Sequence, residues 1–72
     1  DNDGLHDEHT LPYMGVIDWD RVCLALKEIG YSHDVNFETG GGVRGFDPAL
    51  APQVLRLLCA TGELFRRKIT GE

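Results

Sequence analysis

Seventy-two residues, 42% of them hydrophobic, allow at most one small domain with a modest core. Seven basic against twelve acidic side chains leave a formal charge of −5. Phosphate backbones are bound by basic patches, so a nucleic-acid surface is not expected on this chain. No run of about twenty apolar residues is present to span a bilayer, and no signal-peptide stretch opens the chain, so nothing addresses it to a membrane or to export. Cys23 and Cys59 sit in helix-like apolar patterns without the CxxC spacing of a zinc site. The expectation is a cytoplasmic protein with two reduced core cysteines.

Residues 1–16 are polar and irregular and read as a loop. Asp1-Asn2-Asp3-Gly4 has the flavour of a calcium loop, but placing Gly4 at the sixth position of an EF-hand puts Thr10 where the bidentate glutamate is needed, so that reading is rejected. Within Asp7-Glu8-His9, residues two apart in an extended segment point the same way. Asp7 and His9 therefore stand open to two readings: a carboxylate and an imidazole offered to a metal, or a solvated acidic loop.

A helix is predicted from Asp18 onward, with Trp19, Val22, Cys23, Leu26 and Ile29 at helical spacing. Asp18 is a fitting N-cap, Asp20 and Lys27 suit the dipole, and Gly30 stands where a left-handed cap is expected. Trp19 reads as a packing residue which, beside the cap, also stands where it can wall a pocket. After a short connection, Val35-Asn36-Phe37-Glu38 alternates as a strand does, with Val35 and Phe37 on one face and Asn36 and Glu38 on the other. A carboxylate at the carboxyl end of a strand, before a glycine-rich loop and a helix, is where α/β proteins place ligand chemistry. A solvated edge glutamate is the plainer reading of Glu38.

The loop from Thr39 to Phe46 holds four glycines and Arg44. Its amides and Arg44 suit a phosphate or a sugar hydroxyl, although it has neither the lysine of a phosphate-binding P-loop nor the glycine spacing of a dinucleotide site. Asp47-Pro48 then caps a second helix whose apolar stripe is Val54, Leu57, Leu58, Thr61, Phe65 and Ile69, with Gly62 as a weak point and Arg66-Arg67-Lys68 in the last turns. One strand between two helices leaves both of its edges open, so either more chain or association of copies is needed to pair them.

The ordered series Asp1-Asn2-Asp3-Gly4, Gly15-Val16-Ile17-Asp18-Trp19, Leu26-Lys27-Glu28-Ile29-Gly30-Tyr31 and Phe37-Glu38 resembles the xylose-isomerase-like TIM barrels. These include sugar and sugar-phosphate isomerases and epimerases and also endonuclease IV. The resemblance covers nearly the whole chain and implies an α/β fold: residues 1–72 as the C-terminal quarter of one (β/α)8 barrel, with the end of strand seven, helix seven, strand eight and helix eight. It implies that Glu38 ligates a divalent metal and helps move a proton, and that Asp7 and His9 are further ligands. Arg44 and Trp19 are the expected substrate contacts. Ser32-His33 departs from the Asp-Gly of many relatives, far from this chemistry.

The cofactor implied is a divalent ion such as manganese, zinc, cobalt or magnesium. The partners implied are a sugar or sugar phosphate and the remainder of the barrel, and the reaction is isomerisation or epimerisation through an enediolate. The alternatives are a zinc-dependent phosphodiesterase acting on abasic DNA, and a fragment with no catalytic role.

Overall fold

The computed structural model describes residues 1–72 and contains three α-helices and no β-strand: α1 (Trp19–Glu28), α2 (Gly40–Arg44) and α3 (Ala51–Thr70), with a 3-10 turn at Pro48–Leu50 leading into α3. This corrects the α/β expectation: the chain is helical, and it is not the end of strand seven, helix seven, strand eight and helix eight of a TIM barrel. The physical reason lies in Val35–Glu38. A strand is defined by backbone pairing, and this segment meets no second strand to pair with. Its alternation survives in burial alone. Val35 and Phe37 are half-buried against the core while Asn36 and Glu38 are exposed.

Local chemistry sets the helix ends. The Asp18 carboxylate accepts from Arg21 N at 3.2 Å, satisfying one of the free amides at the start of α1. Ile29 caps the other end, and Gly30 follows at φ +70°, a conformation that costs glycine nothing. Asp47 accepts from Ala49 N at 2.8 Å over the 3-10 turn, with Pro48 at its first position. Pro52 falls within the first turn of α3, where a missing amide hydrogen breaks no helical bond. Gly71, at φ +81°, closes the far end.

The core lies where α1 crosses α3. Cys23, Phe65 and Ile69 are buried, and Trp19, Leu26, Tyr31, Val35 and Phe37 pack around them. Phe65 is the hub. Trp19 stacks on it with ring centroids 5.3 Å apart, Phe37 meets it edge-on at 5.9 Å and Tyr13 tilts against it at 5.8 Å. Lys68 bonds the Asp20 carboxylate across the same helix pair. Of the two cysteines expected in the core, Cys23 is buried and Cys59 is exposed, because Cys59 falls on the outer side of α3. No helix is long and apolar enough to cross a membrane.

Residues 1–17 fold back on themselves. Asp1 and Thr10 exchange backbone hydrogen bonds of 2.8 and 3.1 Å, and Val16 N donates to Asn2 O at 2.9 Å. The Asp1 carboxylate accepts from Trp19 Nε1 at 2.8 Å, which fixes this loop to the start of α1. Leu11, only 2% exposed, anchors the loop's other side.

Candidate functional site

A polar cleft of about 320 Å³ forms where the 7–9 segment faces the start of α2. Asp7, Glu8 and His9 make one wall, and Glu38, Gly40, Gly41 and Arg44 the other. Four of the five residues singled out from the sequence, namely Asp7, His9, Glu38 and Arg44, therefore meet in one place. The fifth, Trp19, does not reach it. Its indole is held in the core against Phe65 and by Asp1.

His9 is the hinge of the arrangement. Its backbone sits at φ +52°, a left-handed conformation that histidine adopts more readily than most side chains. Its carbonyl accepts from Gly42 N at 2.9 Å. Its ring Nδ1 faces Glu38 O at 3.3 Å, and its Nε2 lies 2.7 Å from Asp7 Oδ1. A neutral ring can donate to one of these oxygens, a protonated ring to both. Either way the ring ties the acidic loop to a segment 29 residues further on.

The glycines of α2 permit this approach. A Cβ on Gly41 would run into the Glu8 carbonyl oxygen, and one on Gly42 would lie 2.5 Å from Leu11 Cδ1 and 2.9 Å from Leu11 N. The expected open glycine loop is thus a helical turn pressed against the 8–11 segment. The amides of Gly42 and Val43 are taken by the chain's own carbonyls, those of His9 and Thr39. Arg44 folds back over Gly40, where an added Cβ would stand 3.1 Å from its Nη1, and its guanidinium enters no ion pair.

The Asp1–Gly4 stretch has its oxygens committed elsewhere. Asp3 Oδ1 accepts from Leu5 N at 2.8 Å and His6 N at 2.9 Å, and Oδ2 lies 2.7 Å from His6 Nδ1. The His6 side chain, with those two amides, holds the Asp3 carboxyl below its ordinary range. Sequence reasoning passed over Glu8, whose Oε1 accepts from Asp3 N at 2.8 Å while its residue lines the cleft. In a strictly alternating segment Glu8 points away from Asp7 and His9, so no pattern marks it.

A second cleft of about 410 Å³ lies beside Tyr31, His33 and Arg66. There Tyr31 Oη donates to Asp34 O at 2.7 Å, and Arg66 is committed to Glu63 and Glu72 at 2.7 and 3.0 Å. Tyr31 and Arg66 are thus engaged with the protein itself.

The donor types at the first cleft, the carboxylates of Asp7, Glu8 and Glu38 and the His9 imidazole, suit a divalent ion. No three histidine, cysteine, aspartate or glutamate side chains stand together as a ligand set, and His9 Nε2 is instead bonded to Asp7. Ion binding has to displace that pair. Among known proteins, no family model matches the sequence, and no solved structure matches it. The chain is similar to the uncharacterized protein y4fM of Sinorhizobium fredii, with 44% identity over 39 residues, or 54% of this chain. It covers 12% of that protein's length.

Proposed function

We propose that the cleft between Asp7–His9 and Glu38–Arg44 belongs to a divalent-metal-dependent isomerase or epimerase of a sugar or sugar phosphate. The observation that carries this reading is the convergence of Asp7, His9, Glu38 and Arg44 on one polar cleft from two segments far apart in the chain. The resemblance of the motif series to sugar isomerases supports the reaction class, and the barrel fold is no part of the proposal.

Asp7, His9 and Glu38 are the side chains that would hold the ion, once His9 and Asp7 release each other. A divalent ion, when bound, supplies Lewis acidity toward a sugar carbonyl. Glu38, exposed and outside every ion pair of the chain, is the base suited to a proton on the neighbouring carbon. Arg44, also without a carboxylate partner, is the donor suited to a substrate hydroxyl or phosphate.

The test is calorimetric titration of the chain with manganese and with zinc, repeated on Glu38→Gln and His9→Ala. Each variant is expected to weaken binding by about tenfold or more, the scale on which changes around a metal site act. Equal affinity in the parent and both variants, or no binding at all, would sink the metal assignment. Turnover of a panel of free and phosphorylated aldoses then tests the reaction.

A further inference from the structure

Glu8 is the one charged side chain of the polar cleft to which the reading above gives no part. Its Oε1 accepts from Asp3 N at 2.8 Å, and Asp3 is itself fastened by the amides of Leu5 and His6 and by the His6 ring. The loop therefore holds this carboxylate in place at the cleft, and no cation of the chain pairs with it.

Charge decides between an uncharged sugar and its phosphate here. Asp7, Glu8 and Glu38 stand against Arg44 alone, so the lining is negative by two charges with His9 neutral. A divalent ion bound there brings it only to neutrality and leaves no positive charge over for a phosphate dianion. Without Glu8, the same ion and Arg44 together exceed the two remaining carboxylates by one charge, which favours the phosphate. The amides of Gly42 and Val43 are taken by the carbonyls of His9 and Thr39, so they offer nothing to a phosphate oxygen. Those of Gly40 and Gly41 are neutral donors that serve a hydroxyl as well as a phosphate.

We propose that Glu8 selects an uncharged sugar over a sugar phosphate at this cleft, an inference that rests on the metal and sugar reading above. The selection works by repulsion: a fixed carboxylate costs a hydroxyl nothing, since it accepts from one, and it opposes every phosphate oxygen.

The experiment is amide NMR of the chain at low salt, titrated with glucose and with glucose phosphorylated at its primary hydroxyl. Signals of Gly40, Gly41 and Arg44 are followed in the parent, Glu8→Gln and Glu8→Lys. The parent is expected to bind glucose more tightly than the phosphate. Glu8→Gln, which keeps an oxygen for Asp3 N, tightens the phosphate by about fivefold and leaves glucose within about twofold, and Glu8→Lys tightens the phosphate by at least about tenfold. These gains shrink as salt is added. Should Glu8→Lys disturb the loop, Glu8→Gln decides alone. A parent that prefers the phosphate, variants that gain nothing for it, or no response to either sugar in any of the three chains would each overturn the proposal. Manganese titration keeps the two readings apart. A chain that binds manganese yet prefers the phosphate retains the metal reading and loses this one, and a chain that binds no manganese yet shows the preference set by Glu8 does the reverse.

Discussion

Glu63 has a carboxyl held at about 2, because Arg66 grips it with Nε and Nη2 at 2.9 and 2.7 Å and Arg67 adds its charge. Such bidentate guanidinium pairing favours the ionised carboxylate. A folded value below the unfolded one means that the contribution to stability is present above the ordinary range near 4.5 and is lost as the pH falls toward 2. The pair is exposed, so water and salt keep that contribution small. Glu63→Gln should flatten the part of the acid-unfolding profile between pH 4.5 and 2, followed by circular dichroism at low salt. A variant profile that overlays the parent's would show that the pair contributes nothing. Asp3, lowered by His6, acts in the same direction over the acid loop.

At the level of elements, α1 was readable to within a residue or so, because its caps are local chemistry. Asp18 and Gly30 do what their side chain and lack of side chain allow, whatever surrounds them. The same holds for Asp47 and Pro48 before α3. Gly62 is a local weakness that the fold tolerates without needing it. A Cβ there would meet Phe37 Cε2 at 3.5 Å, ordinary packing distance, so Gly62→Ala should raise stability by about 1 kcal/mol through helix propensity. Thermal or urea unfolding reads this directly, and a loss of stability would mean that Phe37 cannot share the space. Val35–Glu38 is the element that sequence misjudged. Alternation reports which side chains face the core, and it does so correctly here, but it carries no information on whether a neighbour exists to take the hydrogen bonds.

At the scale of the whole molecule, the candidate site depends on the 7–11 loop lying against the helical turn α2, with no sheet between them. Gly41 is the point of closest approach, because any Cβ there meets the Glu8 carbonyl. Gly41→Ala should therefore push the 7–11 segment off α2 and weaken metal binding by about tenfold or more, while the core around Phe65 keeps its helices. Titration together with circular dichroism separates the two effects. Unchanged metal affinity would mean that the juxtaposition of Asp7 and His9 with Glu38 is not what binds the ion. Only 9 of 72 residues are buried, so the core gives the loops little support and such a local change should stay local.

The sequence by itself determined the two long helices, the Asp18 cap of α1, the acidic balance and the centre of each buried face at Cys23, Val54, Phe65 and Ile69, since each follows from side-chain chemistry within a turn or two of the chain; Val22, Ile29 and Leu57, expected on the same faces, are exposed because they lie at the margins of the contact between the helices. It also marked Asp7, His9, Glu38 and Arg44, by residue type and by the resemblance of the motifs around them. Only the tertiary structure decided that Val35–Glu38 goes unpaired, that the glycine run is a tightly packed helical turn, that Trp19 belongs to the core, and that the other four residues share one cleft. Those outcomes depend on contacts between segments some thirty residues apart, such as His9 with Glu38, and periodicity along a chain does not encode which distant segments meet.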